Sequence, residues 1–102
     1  MVYRSRLKGD CFPITTNGKA GVVKLKNYKQ GIWPGWVSKK VTIYNSGTTT
    51  VYVGPNGQAN FPCAGGGVWW EDNIDPGEVG INDLGTAGTL VVSYGGEPES
   101  AD

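Results

Sequence analysis

The sequence predicts an all-β fold, a small single-domain β-sandwich or barrel of about six to seven strands with an extended N-terminal arm. Three observations carry this. Glycine contributes 17 of the 102 residues. Valine supplies eleven and threonine eight, against five alanines and four leucines, a mixture that suits pleated strands and tight turns rather than helices. β-rich runs then recur about every ten residues between turn signals. A helical bundle is excluded on this composition. No histidine is present, which removes every mechanism that uses imidazole as base or ligand. No apolar run is long enough to form a membrane-spanning helix.

The elements follow in order. Residues 1–19 read as a basic extended arm, with weak alternation over Tyr3 to Lys8 and turn signals at Pro13 and Asn17-Gly18. Val22 to Lys26 is the first strand, with Val23 and Leu25 on one face and Lys24 and Lys26 on the other. Gly31 to Trp36 is a loop, because Pro34 and Gly35 break regular pairing. Val41 to Gly54 reads as a β-hairpin: Val41 and Ile43 alternate with Thr42 and Tyr44, Asn45-Ser46-Gly47 supplies a turn, and Val51 and Val53 alternate with Thr50 and Tyr52. Gly54-Pro55-Asn56-Gly57 ends that unit. A short aromatic strand, Val68-Trp69-Trp70, follows the triple glycine at 65–67 and sends its two indoles to opposite faces. A polar loop leads to Val79-Gly80-Ile81. Thr89 to Tyr94 is the last strong strand, with Leu90, Val92 and Tyr94 on one face. The β domain thus spans 20–94, and the acidic residues 95–102 read as a disordered tail.

The charge is polarised. All nine Lys and Arg lie within residues 1–40, where only Asp10 opposes them, giving +8; residues 41–102 carry eight acids and no base, giving −8. Such asymmetry points to a charged partner, either within the folded monomer or between subunits, with a basic arm lying on a neighbour's acidic face. The net charge of zero gives little protection against self-association.

The two cysteines sit in mirrored contexts, Cys11-Phe12-Pro13 and Phe61-Pro62-Cys63. Two cysteines without C-x-x-C do not make a zinc or redox site. Met1 to Lys8 lacks the apolar run of a signal peptide, so a reducing compartment is expected and both thiols read as small buried hydrophobes; a disulfide pinning the N-terminal arm to the loop, or a reactive thiol, is the alternative.

Three groups of residues bear on function. Glu71, Asp72, Asp75, Glu78 and Asp83 are hard oxygen ligands by type. Their spacing does not follow the EF-hand, and a solvated face or a docking face for bases is the expectation. Trp33, Trp36, Trp69 and Trp70 serve either the core or an interface, where tryptophan is enriched. The lysines and arginines interleave with Tyr28, Trp33 and Trp36 as in single-strand binders, but the acidic half opposes nucleic acid and no RNA-recognition or cold-shock signature is present. Gly65-Gly66-Gly67 lacks the Lys-Ser/Thr of a phosphate loop. Neither a cofactor nor an enzymatic centre is indicated.

The stretch Val41-Thr42-Ile43-Tyr44-Asn45-Ser46-Gly47-Thr48-Thr49-Thr50-Val51-Tyr52-Val53-Gly54, with the turn Asp75-Pro76-Gly77-Glu78 and the final strand Leu90 to Tyr94, resembles a pattern of small tailed-phage virion proteins. The resemblance covers residues 41–94. It departs from the family at Trp69-Trp70-Glu71-Asp72, where the family pattern has more hydrophobic residues. It implies a non-enzymatic capsid decoration (cement) protein, or a head-fibre or tail accessory protein. Such a protein is a homo-oligomer, with a trimer favoured, that binds the major capsid protein on the outer surface of the virion. Tyr3, Arg4, Arg6, Leu7 and Lys8, with Trp33 and Trp36, would then bind the capsid or another partner. Glu71, Asp72, Asp75 and Glu78 would form an inter-subunit acidic face. The competing reading is a carbohydrate- or receptor-binding module of a tail or fibre.

Overall fold

The structure is a computed structural model that describes residues 8–29 and 36–98. Its eight strands are β1 (Lys8–Thr15), β2 (Val23–Lys24), β3 (Trp36–Asn45), β4 (Val51–Gly54), β5 (Phe61–Cys63), β6 (Val68–Asp72), β7 (Gly80–Asn82) and β8 (Thr89–Pro98). Two 3-10 turns, Leu25–Asn27 and Pro76–Glu78, complete the described elements. The strands form two antiparallel four-stranded sheets, ordered β1-β8-β3-β6 and β2-β7-β4-β5. This is the order of a jelly roll, a sandwich of two Greek keys. The all-β sandwich is as expected, with one strand more than the upper count.

The alternation read from the sequence defines the core. Phe12, Ile14, Val41, Ile43, Leu90, Val92 and Tyr94 point inward from the first sheet, and Val51, Val53, Cys63 and Ile81 from the second; all are buried, together with Leu25 and Val79. Phe12 meets Tyr94 edge to face, ring centroids 6.2 Å apart. Trp69 and Trp70 do separate as expected. Trp69 packs against the core, and Trp70 stands 55% exposed on the outer face.

Several expectations change. Val41 to Gly54 is not a hairpin. β3 pairs with β6 and β8 in one sheet, and β4 pairs with β5 and β7 in the other. The cause is Asn45, fully buried at the end of β3. Its amide nitrogen donates to the carbonyls of Thr49 (2.7 Å) and Cys63 (2.8 Å), and its carbonyl oxygen accepts from the Gly47 N–H (3.0 Å). Its backbone N–H donates to the Gly67 carbonyl and its backbone carbonyl accepts from the Gly66 N–H. The side chain thus ties the 46–50 bend to β5 in the opposite sheet, and the chain changes layers there.

The reading of 1–19 as an extended arm changes at residues 8–15. Lys8–Thr15 is an integral strand paired along its length with β8, because Phe12 and Ile14 complete the core. Residues 1–7 lie outside the described residues. Acidic tail residues 95–98 likewise continue β8, in register with β3 from Lys40↔Gly95 to Trp36↔Pro98. A shorter-range change concerns the first strand. It ends at Lys24, and the chain turns into the 3-10 segment that seats Leu25.

The loop after β4 closes over two glycines that face each other, Gly54 and Gly80. A Cβ on either would lie 2.6 Å from the Gln58 carbonyl oxygen. Asn56 (φ 55°) and Gly57 (φ 74°) form the turn that brings Gln58 back, its N–H bonding the Pro55 carbonyl at 3.0 Å.

Replacing Asn45 by Ala leaves the buried Cys63 carbonyl and the half-buried Thr49 carbonyl and Gly47 N–H without their partner. Asn45→Ala is expected to destabilise the fold by about 3 kcal/mol. Asn45→Asp is expected to cost more, since a carboxylate faces the two carbonyls. Urea denaturation with an unchanged m-value checks both.

Candidate interaction surface

The outer face of the first sheet is built in rows by the register. One row runs Pro13, Val91, Tyr44, Val68 across all four strands, and the next runs Cys11, Ser93, Thr42, Trp70. Tyr44 (42% exposed), Val68 (58%) and Trp70 (55%) form its large apolar part. Lys40 and Asp72, register partners on β3 and β6, lie in the row beyond Trp70. The Lys40 ammonium stands 4.8 Å from the centre of the Trp70 ring. Around the β6 edge, exposed Phe61 stacks on Trp69 with centroids 6.4 Å apart and planes inclined at 30°. This face is aromatic and aliphatic, rimmed by one base and one acid. It has the composition of an interface centre. Sequence reasoning assigned Trp70 a face but gave Tyr44 and Val68 no role. The signal was present, since Tyr44 alternates with the buried Ile43.

The acids do not act as one group. Asp75 caps the 3-10 turn, its carboxylate accepting from the Gly77 N–H at 3.2 Å. Glu78 is gripped by Lys24 (2.8 Å) and Lys26 (2.6 Å). Hydrogen bonds from those two ammonium groups hold its carboxyl at about 2. Glu71 and Asp72 end β6 and make no ion pair among the described residues. Asp83 is buried. Burial pushes its carboxyl up, but the Thr16 hydroxyl and the Gly18 and Gly85 N–H groups outweigh that and hold it low. It pins the β1–β2 connection to the β7–β8 connection, with Gly18 N–H at 2.7 Å. Among the described residues no three acids or cysteines converge to hold a metal ion. No helix among them is long and apolar enough to cross a membrane.

Of the sequence-assigned binding residues, Tyr3, Arg4, Arg6, Leu7 and Trp33 lie outside the described residues. Lys8 and Trp36 open β1 and β3. The cysteines part company. Cys11 is exposed on the outer face and Cys63 is buried in the second sheet, both free thiols. The expectation of two buried thiols therefore holds for Cys63 alone. The odd residues of β1 point outward, and residue 11 has no apolar layer above it.

No protein-family model matches the chain, and no curated protein matches it. Among solved structures it is similar to a chain of the Bacillus endospore appendages, described as forming a novel family of disulfide-linked pili. The TM-score is 0.50 and the identity 14%, covering 97% of this chain and 98% of that one. The likeness shows a shared β-rich fold over the whole chain.

Two outcomes follow from this chemistry. Glu78 is depressed from 4.5 to about 2 on folding, so its contribution to stability is complete above about 4.5 and is lost as pH falls toward 2. The effect is modest, since all three groups are about a third or more exposed. Glu78→Gln is expected to flatten the acid limb of a melting-temperature–pH profile. In native protein a thiol reagent is expected to label Cys11 quickly. Burial shields Cys63 and pushes its thiol up, so it reacts only on unfolding. Counting modified thiols by mass spectrometry checks this.

Proposed function

We propose that this chain is a non-enzymatic structural subunit of the capsid decoration type, which binds the outer surface of a phage shell through the outer face of its β1-β8-β3-β6 sheet. The observation that carries the reading is the row Pro13, Val91, Tyr44, Val68 with Trp70 beside it, an apolar strip spanning a four-stranded sheet and exposed at every position but the half-buried Val91. Isolated exposed apolar residues are ordinary, but a contiguous strip with a charged rim marks a docking surface. The resemblance of residues 41–94 to small virion proteins supports the phage setting, and the β-rich pilus neighbour supports a structural role. In this reading Tyr3, Arg4, Arg6, Leu7 and Lys8 are the partner-binding segment, the major capsid protein is the shell partner, and the assembled unit is a homotrimer. Charge complementarity speeds docking, and burial of Trp70 and Tyr44 sets how long the contact lasts.

A covalent filament like that of the neighbour is a second reading, favoured by the exposed thiol of Cys11. One accessible thiol per copy joins copies in pairs, however, and an endless disulfide-linked chain needs two. With Cys63 buried, that reading requires the second sheet to open.

Quantitative mass spectrometry of particles purified from the source is the test. Hundreds of copies per particle are expected for a shell-covering subunit. A few copies move the chain to a tail or fibre, and absence from particles removes the virion reading. Tyr44→Ser with Val68→Ser is expected to weaken particle binding about tenfold or more, read by co-sedimentation.

A further inference from the structure

We propose that the free edge of β6 receives residues 1–7 of a second copy as an added strand, so that copies are joined by arm exchange. This names the partner of the segment assigned above, and so rests on the structural-subunit reading.

The sandwich has four edge strands, β1, β6, β2 and β5, and three of them are closed to pairing. The alternation of the ladder shows how. The Thr16 N–H bonds the Gly88 carbonyl across the β1–β8 register, so even residues of β1 face β8 and odd residues face outward. Two of the outward donors of β1 are removed. Pro13 has no N–H, and the Cys11 N–H is taken by the Asp10 carboxylate at 2.8 Å. β5 contains Pro62, and β2 is two residues long. Proline, a neighbouring acid and short length are the means by which sheet edges resist pairing.

β6 is not closed by proline, by shortness or by a side chain bonded to its open N–H groups, although its last two residues are acids. It is a five-residue strand with no proline. The Asn45 N–H to Gly67 carbonyl bond sets its phase: Trp69 and Glu71 bond β3, while Val68, Trp70 and Asp72 turn their N–H and C=O groups to the open side. No strand lies beyond them among the described residues. Two of the five side chains are carboxylates, Glu71 and Asp72.

The occupant follows from length and charge. Residues 1–7 carry Arg4 and Arg6 and no acid, and alternate Tyr3, Ser5 and Leu7 with Val2, Arg4 and Arg6, a sequence that suits a strand beside two carboxylates. Residues 1–7 of the same chain do not reach. They leave from Lys8 on β1, the opposite edge of the sheet. A strand added beyond β6 lies four spacings away, about 19 Å. Residues 1–7 span at most about 24 Å when extended, so a crossing consumes the segment and leaves nothing to run beside β6. A second copy placed next to that edge has no such cost. The exchange is head to tail: it closes a ring if the rotation between copies closes, as a trimer would, and otherwise extends as a filament.

The test uses the full chain and three variants in light scattering across a concentration series. The full chain is expected to associate, and less so at high salt. Deletion of residues 1–7 is expected to leave a folded monomer. Trp70→Pro removes an N–H that faces the open edge and leaves the β3 bonds intact; it is expected to weaken association about tenfold or more, as loss of one or two backbone hydrogen bonds requires. Trp70→Ala keeps that N–H and is expected to associate nearly as the full chain does. Should Trp70→Pro fail to fold, hydrogen exchange decides. The amides of Val68, Trp70 and Asp72 are expected to be protected in the full chain and open in the deletion variant. A monomeric full chain, an oligomer indifferent to the deletion, or equal losses in Trp70→Pro and Trp70→Ala overturns the proposal. Copy number in particles is independent of this assay, so the two readings fail separately.

Discussion

The fold turns on the side chain of Asn45. A jelly roll requires the chain to leave one sheet and enter the other, and β3 to β4 is such a passage. Asn45 makes it at a fully buried position, where its amide reaches the Thr49 and Cys63 carbonyls and its oxygen holds the Gly47 N–H. Each of those groups is otherwise costly to bury. The same residue's backbone meets Gly66 and Gly67 ahead of β6. One residue therefore sets the 46–50 bend and the end of β5 through its side chain, and the phase in which β6 joins the first sheet through its backbone. The outward placement of Val68, Trp70 and Asp72 is a consequence of that phase.

The jelly-roll order also explains the polarised charge. β1, β2 and β3 belong to the basic part of the chain or adjoin it, and their partners β8, β7 and β6 come from the acidic part. Folding the chain back on itself sets bases against acids within one domain. Lys40 lies in register with Asp72, and Lys24 and Lys26 grip Glu78. Part of the asymmetry is thus resolved inside the monomer. Glu71 and Asp72, at the end of β6, make no ion pair among the described residues.

Edges and faces divide the surface by chemistry. Two edge prolines, Pro13 and Pro62, sit in the mirrored cysteine contexts, and each removes a donor from an edge strand. The outer face of the first sheet offers side chains, led by Tyr44, Val68 and Trp70, whereas the β6 edge offers backbone. The face and the edge do not compete for the same groups, because side chains and edge amides of the same strand point at right angles.

The sequence by itself determined the fold class and most inward-facing residues. Alternation is a local property, and period two over Val41 to Asn45, Val51 to Val53 and Leu90 to Tyr94 states which side chains share a face. It also separated Trp69 from Trp70. Only the tertiary structure decided what each face meets. Two strands joined by a Gly-containing turn look the same whether they pair in one sheet or face each other across a sandwich, since both arrangements bury alternate residues; long-range bonds from Asn45 chose the second. Lys8–Thr15 read as an arm because Pro13 and the turn signals after it mask a strand whose partner is some 80 residues away in sequence. Asp83 read as a surface acid because its three donors come from Thr16, Gly18 and Gly85, two of them distant along the chain. Edge or centre, buried or exposed, and free or paired are properties of neighbours, and neighbours in a Greek key are distant in sequence.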